Sequence, residues 1–416
     1  MSTVSCFAGS LDLSSCELNE VPPGLASLRH LRSLTLSHNR LTTFPQVLCD
    51  LVELRQLLLD HNQLNCCNGV SALKNLEILS VAHNDLPALP ETLEALRNLT
   101  TLDARDNRLQ TLPFAVADLP KLQLLNWSGN PRSLLPSTVT DLSSLRIYLR
   151  RLRDSGESAW KDMKLIIVGR EGVGKTTLRK LFTGELTPVK TSKGGLFSMG
   201  KTSSRWDGTV VEKQNQSTEG VDIREWAPQE DVNFSCYDFG GQLLFHPTHQ
   251  FFLSSNSLVL IVFDITEPES YGARFEYWLK TISFCCAGEG PQDWSQVLVV
   301  PTHIDRVTQA TVDNVVASMQ TRYPRSRYPN VRGYYPVSCV GGVGLAELRS
   351  AVLQTARQSQ LLKRQVPACF VDFSKSLVNL RQLRQTVPLC EYTAWMRNFG
   401  FAEEEDQFVI RLLHDT

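Results

Sequence analysis

Residues 164–177 read KLIIVGREGVGKTT: an apolar strand ending at Gly169, then a glycine-bearing loop that delivers Lys175 and Thr176 to the start of a helix. The spacing G-x-x-x-x-G-K-[ST] between a strand and a helix is that of a phosphate cradle. Gly169, Gly172 and Gly174 let successive backbone N–H groups turn inward, with Glu171 and Val173 between them and Thr177 just beyond. The helix N-terminus adds partial positive charge. Lys175 has the reach for β- and γ-phosphates, and the Thr176 hydroxyl is placed to ligate Mg²⁺. The chemistry implied is capture of a nucleoside triphosphate.

Further polar clusters follow, each after an apolar run. Thr218, in STEGVDI, offers a hydroxyl that can close on Mg²⁺ and the γ-phosphate. In Asp238-Phe239-Gly240-Gly241-Gln242, Asp238 can hold the metal's water, the Gly241 N–H can sense the γ-phosphate, and Gln242 can orient an attacking water. Another strand pattern runs into Thr302-His303-Ile304-Asp305. A carboxylate there can accept from the two N–H donors on guanine's edge, and adenine does not offer that pair. Val337-Ser338-Cys339 closes a last strand pattern, where backbone N–H groups can meet guanine O6.

The elements that must position these groups alternate strand and helix from Met163 onward, the signature of a parallel sheet wrapped by helices. Strands are expected over 165–168, 221–226, 232–237, 258–263, 297–300 and 333–337, with helices after Thr176, Ala273, Thr311 and Leu345. Six strands with the phosphate loop after the first resemble the small G proteins. The whole chain, 416 residues, has room for two or three domains. Its 42 basic and 43 acidic residues nearly cancel, so no general affinity for nucleic acid is implied. The strongest apolar run, 258–263, is too short for a membrane span. Residues 1–10 lack the basic start and apolar core of a secretory signal. Eleven scattered cysteines, none at C-x-x-C spacing, fit thiols in a reducing, cytoplasmic setting.

The first third carries L-x-x-L-x-L-x-x-N-x-L at a step of 23 residues, once 22. Clear copies begin at Leu31, Leu54, Leu76 and Leu99, each with its asparagine at Asn39, Asn62, Asn84 or Asn107. A first copy has Cys16 in the asparagine place, and a last ends at Asn130. A proline recurs after the motif at Pro22, Pro45, Pro90, Pro113 and Pro136. This pattern resembles the leucine-rich repeat, a stacked solenoid whose units share one core. The asparagines are expected to satisfy backbone groups at the turn. His38, His61 and His83 each precede the repeat asparagine, so their rings can line up to bind metal or sense pH. With no carboxylate or cysteine read into that column, a solvated turn is the favoured reading. Residues 142–153 form an amphipathic helix that would close the solenoid, and DSGESAW reads as a linker.

The order repeats, phosphate loop, T-x-G-V-D, D-F-G-G-Q, T-H-I-D and S-C resembles the ROCO family: leucine-rich repeats followed by a Roc (Ras-of-complex) GTPase. The implied fold is a leucine-rich-repeat solenoid, then a Ras-like P-loop domain with a six-stranded mostly parallel sheet, then a short helical segment. The expected boundaries are 1–153, 160–360 and 365–416. The resemblance implies phosphate binding by residues 169–177, metal binding by Thr176, Thr218 and Asp238, and base binding by Asp305. It implies GTP or GDP with Mg²⁺ as ligands. His303 stands where typical G proteins have lysine, losing an aliphatic stem along the base. Glu171 stands where efficient ones favour glycine beside the γ-phosphate. No arginine has an evident place as a catalytic finger, so slow hydrolysis is expected. The long middle segment KTSKGGLFSMGKTSSRWDG reads either as a disordered insertion or as a docking segment anchored by Phe197 and Trp206.

Residues 365–416 show three helical patterns: one through Leu377, Leu380 and Leu383, one over 391–399 and one over 403–413. They are similar to the opening of a COR (C-terminal of Roc) domain, which in the family couples nucleotide state to dimer geometry. About fifty residues are too few for a whole one, so homodimerisation is expected only with a complete COR segment, and a fragment or isoform is implied. No kinase motif set is present. The leading reading is a GTP-hydrolysing switch whose repeats engage a protein partner. A non-catalytic, nucleotide-bound scaffold and a fragment of a larger ROCO kinase stay open. An ATP-driven immune-type receptor is disfavoured by Asp305 and by repeats that precede the nucleotide loop.

Overall fold

The computed structural model describes residues 5–7, 9–131, 135–136, 138–188, 221–240, 252–253, 257–267, 272–285, 295–359, 361–384 and 386–415. Its contacts divide the chain into two units, Met1–Ser158 with Arg364–Leu412, and Ala159–Lys363 with Leu413–Thr416.

In the first unit seven three-residue strands stack in chain order: β1 (Ser5–Phe7), β2 (Ser10–Asp12), β3 (Ser33–Thr35), β4 (Gln56–Leu58), β5 (Ile78–Ser80), β6 (Thr101–Asp103) and β7 (Leu124–Asn126). All pairs from β2 onward are parallel, and β1 is antiparallel to β2. The central leucines of β3 to β6, Leu34, Leu57, Leu79 and Leu102, have no exposed surface, as one continuous core requires. Pro22, Pro45 and Pro90 each precede a short 3₁₀ turn that returns the chain, their fixed φ starting the bend. Cys67 takes that place in the repeat lacking the proline.

The asparagines do what the sequence asks of them. The Asn62 amide donates to Leu36 O and Leu59 O at 3.0 Å each, and its oxygen accepts from Leu41 N at 3.0 Å. Asn84 and Asn107 repeat this bridge between neighbouring repeats. Each asparagine thus pays for its own burial by pairing carbonyls that the turn would orphan.

His38 and His61 are exposed and all three histidines take left-handed turns, as the solvated-turn reading expects, but the column is more ordered than that reading assumed. The rings of His38, His61 and His83 stack at 4.3 and 4.1 Å with planes 9° apart. Asp106 takes the next place, with φ of 51° beside 57°, 54° and 53° for the histidines, and lies 3.4 Å from His83 Nε2. A carboxylate therefore does complete the column. Parallel rings set their nitrogens side by side rather than toward one point, and no group of three or more ligating side chains fit for a metal occurs among the described residues. Burial between its neighbours and the like charges of His83 and His38 lower the His61 pKa, with Arg105 acting the same way and Asp60 opposing. An NMR titration should find the His61 imidazole protonating below the ordinary value near 6.5. His61 titrating at or above that value would contradict the stacking argument.

The repeats end in α1 (Ala115–Asp118) and α2 (Leu142–Ser155). Asp141 caps α2 by accepting from Ser144 N at 2.8 Å, and Ser144 Oγ in turn accepts from Asp141 N at 3.2 Å. The DSGESAW segment is no free linker. Asp154 and Ser155 finish α2, Glu157–Ala159 form strand β8, and Trp160 is buried with its Nε1 donating to Asp162 O at 2.7 Å.

In the second unit the strands are β9 (Asp162–Val168), β10 (Val221–Gln229), β11 (Val232–Phe239), β12 (Leu258–Asp264), β13 (Gln296–Thr302) and β14 (Val331–Tyr334). They form one sheet in the order β10-β11-β9-β12-β13-β14, parallel throughout except for β10. Its helices are α3 (Lys175–Thr183), α4 (Ala273–Cys285), α5 (Gln309–Arg322) and α6 (Leu345–Gln358). Every residue of β12 is buried, which explains an apolar run without alternation. β14 ends earlier than expected, yet Tyr335 N and Val337 N still donate to Val299 O and Pro301 O, at 2.8 Å each, and so carry the chain to Ser338.

Back in the first unit follow β15 (Gln365–Pro367) and three helices, α7 (Ala368–Leu383), α8 (Leu389–Asn398) and α9 (Asp406–Asp415). Arg151 of α2 holds this segment. Its Nε donates to Glu405 Oε1 at 2.8 Å, its terminal nitrogen to Gly400 O at 2.6 Å, and its guanidinium lies 5.0 Å from the Phe401 ring centre. Among the described residues no helix is long and apolar enough to cross a membrane.

Candidate functional site

The strand order reverses between β9 and β12, and in an open parallel sheet the crevice beyond the carboxyl ends at such a point is where ligands bind. The loop of residues 169–174 leaves β9 there. Gly169 has φ of +148°, and a Cβ on it would stand 2.1 Å from Val262 O of β12. Only glycine fits. Gly172 and Gly174 take φ of +81° and +93°, the left-handed region that other residues avoid. The loop is closed by its own lysine, whose Nζ donates to Arg170 O at 2.7 Å. Glu171 points outward and is exposed, as is Thr177, while Val173 is buried.

Asp238, at the end of β11, has no exposed surface. Neither of its carboxylate oxygens has a partner in hydrogen-bond geometry. Burial raises its pKa; the Thr176 hydroxyl, close enough to favour the charged form, opposes this, as do Lys175 and Arg179. Burial likewise pushes the Lys175 ammonium down to about 8, against Asp238 and Glu171. Two buried carboxylate oxygens beside a threonine hydroxyl suit a hard divalent cation that keeps most of its remaining positions for water and phosphate. Thr176 and Asp238 therefore fit Mg²⁺.

At the far side, the Thr302 hydroxyl reaches both Val173 O, at 2.8 Å, and Phe263 O, at 2.9 Å, tying the end of β13 to the loop. A Cβ on Gly174 would lie 3.9 Å from Thr302 and 4.0 Å from the Cys339 sulfur. His303 turns the chain in the left-handed conformation, φ 59°, with its Nδ1 2.9 Å from the Asp264 carboxylate. Asp305 is exposed, and Ser338 Oγ donates to its Oδ1 at 2.6 Å. Burial, then Asp305, push the Cys339 thiol up to about 11, so it stays protonated. One end of one sheet thus gathers the loop, Lys175, Thr176, Asp238, Thr302, His303, Asp305, Ser338 and Cys339. Thr218, Gly241 and Gln242 lie outside the described residues, as do Phe197 and Trp206.

The family described as Ras of Complex, Roc, domain of DAPkinase matches residues 164–305, and the leucine rich repeat family matches residues 9–64. Leucine-rich repeats followed by a Roc domain are the order of the ROCO family, which these matches support. Its Roc domain is of the Ras-like GTPase class. The probable serine/threonine-protein kinase roco11 of Dictyostelium discoideum is 30% identical over 238 residues, 56% of this chain and 14% of that protein. The leucine-rich repeat serine/threonine-protein kinase 1 of Caenorhabditis elegans is 24% identical over 249 residues, 55% of this chain and 10% of that one. The chain thus aligns with about a tenth of such relatives. Among solved structures, Methanosarcina barkeri Roco2 RocCORdC bound to GDP is similar at 24% identity and a TM-score of 0.39, covering 54% of this chain and 58% of that one.

The Roc domain also holds a residue that motif reading passes over. Arg179, four places after Lys175, is 2% exposed and lies near three carboxylates. Its signal is visible in hindsight: with Leu178, Leu181 and Phe182 it falls on the buried stripe of α3, where a charge demands partners.

Proposed function

We propose that this ROCO chain binds GTP and GDP with Mg²⁺, hydrolyses GTP slowly, and presents its repeats to a protein partner. The observation that carries the reading is the convergence of the glycine loop, buried Asp238 and the Asp305–Ser338 pair at one sheet end. Loop amides and Lys175 would bind the β- and γ-phosphates, Thr176 and Asp238 would hold Mg²⁺, and Asp305 would read the purine. Bound Mg²⁺ would supply neutralisation of charge on the phosphate oxygens. Thr218 and the Gly241–Gln242 pair would close on the γ-phosphate, Gln242 orienting water, and cleavage would release them. The exposed side chain of Glu171 favours the charge of Lys175 from the solvent side of the loop.

Relatives of this organisation include kinases, and the solved relative binds GDP, which supports guanine as the base. The regions proposed are 1–153 as the repeat solenoid, 160–360 as the Roc domain and 365–416 as the start of a COR domain.

Calorimetry with GTP, GDP and ATP followed by single-turnover hydrolysis tests the proposal. Guanine nucleotides should bind, ATP should bind at least ~10²-fold more weakly, and hydrolysis should run below about 10⁻² s⁻¹. Gln242→Leu should slow it a further ~10-fold with GDP affinity unchanged. Equal rates in both proteins would instead support a scaffold that keeps nucleotide as a structural ligand. Tight ATP binding would sink both readings.

A further inference from the structure

Asp222 and Asp238 sit directly opposite one another on β10 and β11. Like charges so placed repel, and Asp238 has no exposed surface through which to shed the strain. Arg179 of α3 lies against both. Its guanidinium is 3.3 Å from Asp222 Oδ2, 3.8 Å from Asp238 Oδ2, and also hydrogen-bonds Glu185 just beyond the helix. The guanidinium is almost wholly buried, so these contacts are little screened. A planar fork of five donors can serve several carboxylates on different elements at once, which an ammonium on a flexible stem cannot do equally well.

From this geometry we infer that Arg179 is a positioning residue for the Mg²⁺-nucleotide site. It sets the direction of Asp238 toward Thr176 and ties that carboxylate to Asp222 at the start of β10, four residues after Thr218. The inference rests on the proposed Mg²⁺-nucleotide site and adds a residue that touches neither ligand. Its consequence concerns metal rather than nucleotide alone. On charge grounds, deleting a cation near a metal site strengthens metal binding. Loss of positioning does the reverse, because a carboxylate free to rotate no longer holds its oxygens toward the threonine hydroxyl. The sign of the effect therefore separates a positioning residue from a counter-charge.

The test measures GDP affinity of the full chain by calorimetry, in saturating Mg²⁺ and in EDTA, for wild type, Arg179→Lys, Arg179→Met and Arg179→Met with Asp222→Asn. Thermal melts confirm that each variant is folded. The ratio of affinities with and without Mg²⁺ should fall ~10-fold or more in Arg179→Met. It should fall less in Arg179→Lys, and recover in part when Asp222→Asn removes the facing charge. Affinity in EDTA should stay close to wild type. An unchanged or enlarged ratio in a folded Arg179→Met protein overturns the inference, as does equal loss in both buffers, which marks a merely structural role. If Met unfolds the chain, a folded Arg179→Lys protein with the wild-type ratio overturns it alone. Wild type that binds no GDP in either buffer fails the nucleotide reading instead.

Discussion

Lys175→Met should lose GTP and GDP affinity by at least ~10²-fold, about 2.7 kcal/mol, while its ligand-free fold melts no lower than wild type. The two halves of that expectation have one cause. The Lys175 ammonium is buried with a single carbonyl partner, Arg170 O, and burial pushes its pKa from 10.5 down to about 8. A cation so depressed is a cost to the empty protein. Between about 8 and 10.5 the unfolded chain binds more protons, so the empty fold gains stability as pH rises through that window and bears the whole cost below it. Methionine keeps most of the stem and removes the cost. A triphosphate reverses the balance, because its charge favours the ammonium and pulls the pKa back up. Binding should therefore take up protons at pH 8.5, and affinity should decline as pH rises beyond about 8. Calorimetry in two buffers of different ionisation enthalpy reads that uptake directly. Wild-type affinity in Lys175→Met would remove the basis for the phosphate assignment.

Much of this arrangement was legible in the residues. Glycine spacing revealed the loop because a left-handed turn and a 2.1 Å approach to Val262 O tolerate nothing else. The repeat asparagines announced their role because a buried amide must pair. What escaped notice depends on contacts between elements far apart in sequence. Arg179 reads as an ordinary helical residue until β10 and β11 place Asp222 and Asp238 around it. Asp106 extends the histidine column only once the repeats are superposed by register, since no histidine marks its place. Trp160 resembles a linker residue, yet an indole that finds both a core and a carbonyl for its N–H is more stable buried.

Asp305→Asn should redirect base choice rather than abolish binding. An ionised aspartate only accepts, so its two oxygens match the adjacent N1–H and N2–H donors of guanine. Here one oxygen already receives Ser338 Oγ at 2.6 Å, which fixes the carboxylate's direction and still leaves lone pairs for the base. An asparagine keeps that shape but replaces one acceptor with an NH₂ group. Facing guanine's own NH₂, it makes a donor–donor clash; facing xanthine, whose C2 carries a carbonyl, it makes a hydrogen bond. GTP affinity should fall ~10²–10³-fold and xanthosine triphosphate affinity rise correspondingly, since leaving polar edge groups mismatched costs far more than losing a methylene. Ser338→Ala should weaken both nucleotides by less than about tenfold, because it frees the carboxylate to rotate without changing its donor pattern. Competition binding of the two triphosphates to both variants decides the matter. If Asp305→Asn keeps the wild-type preference, the purine is read elsewhere, and the Asp305–Ser338 pair merely braces the turn after β14.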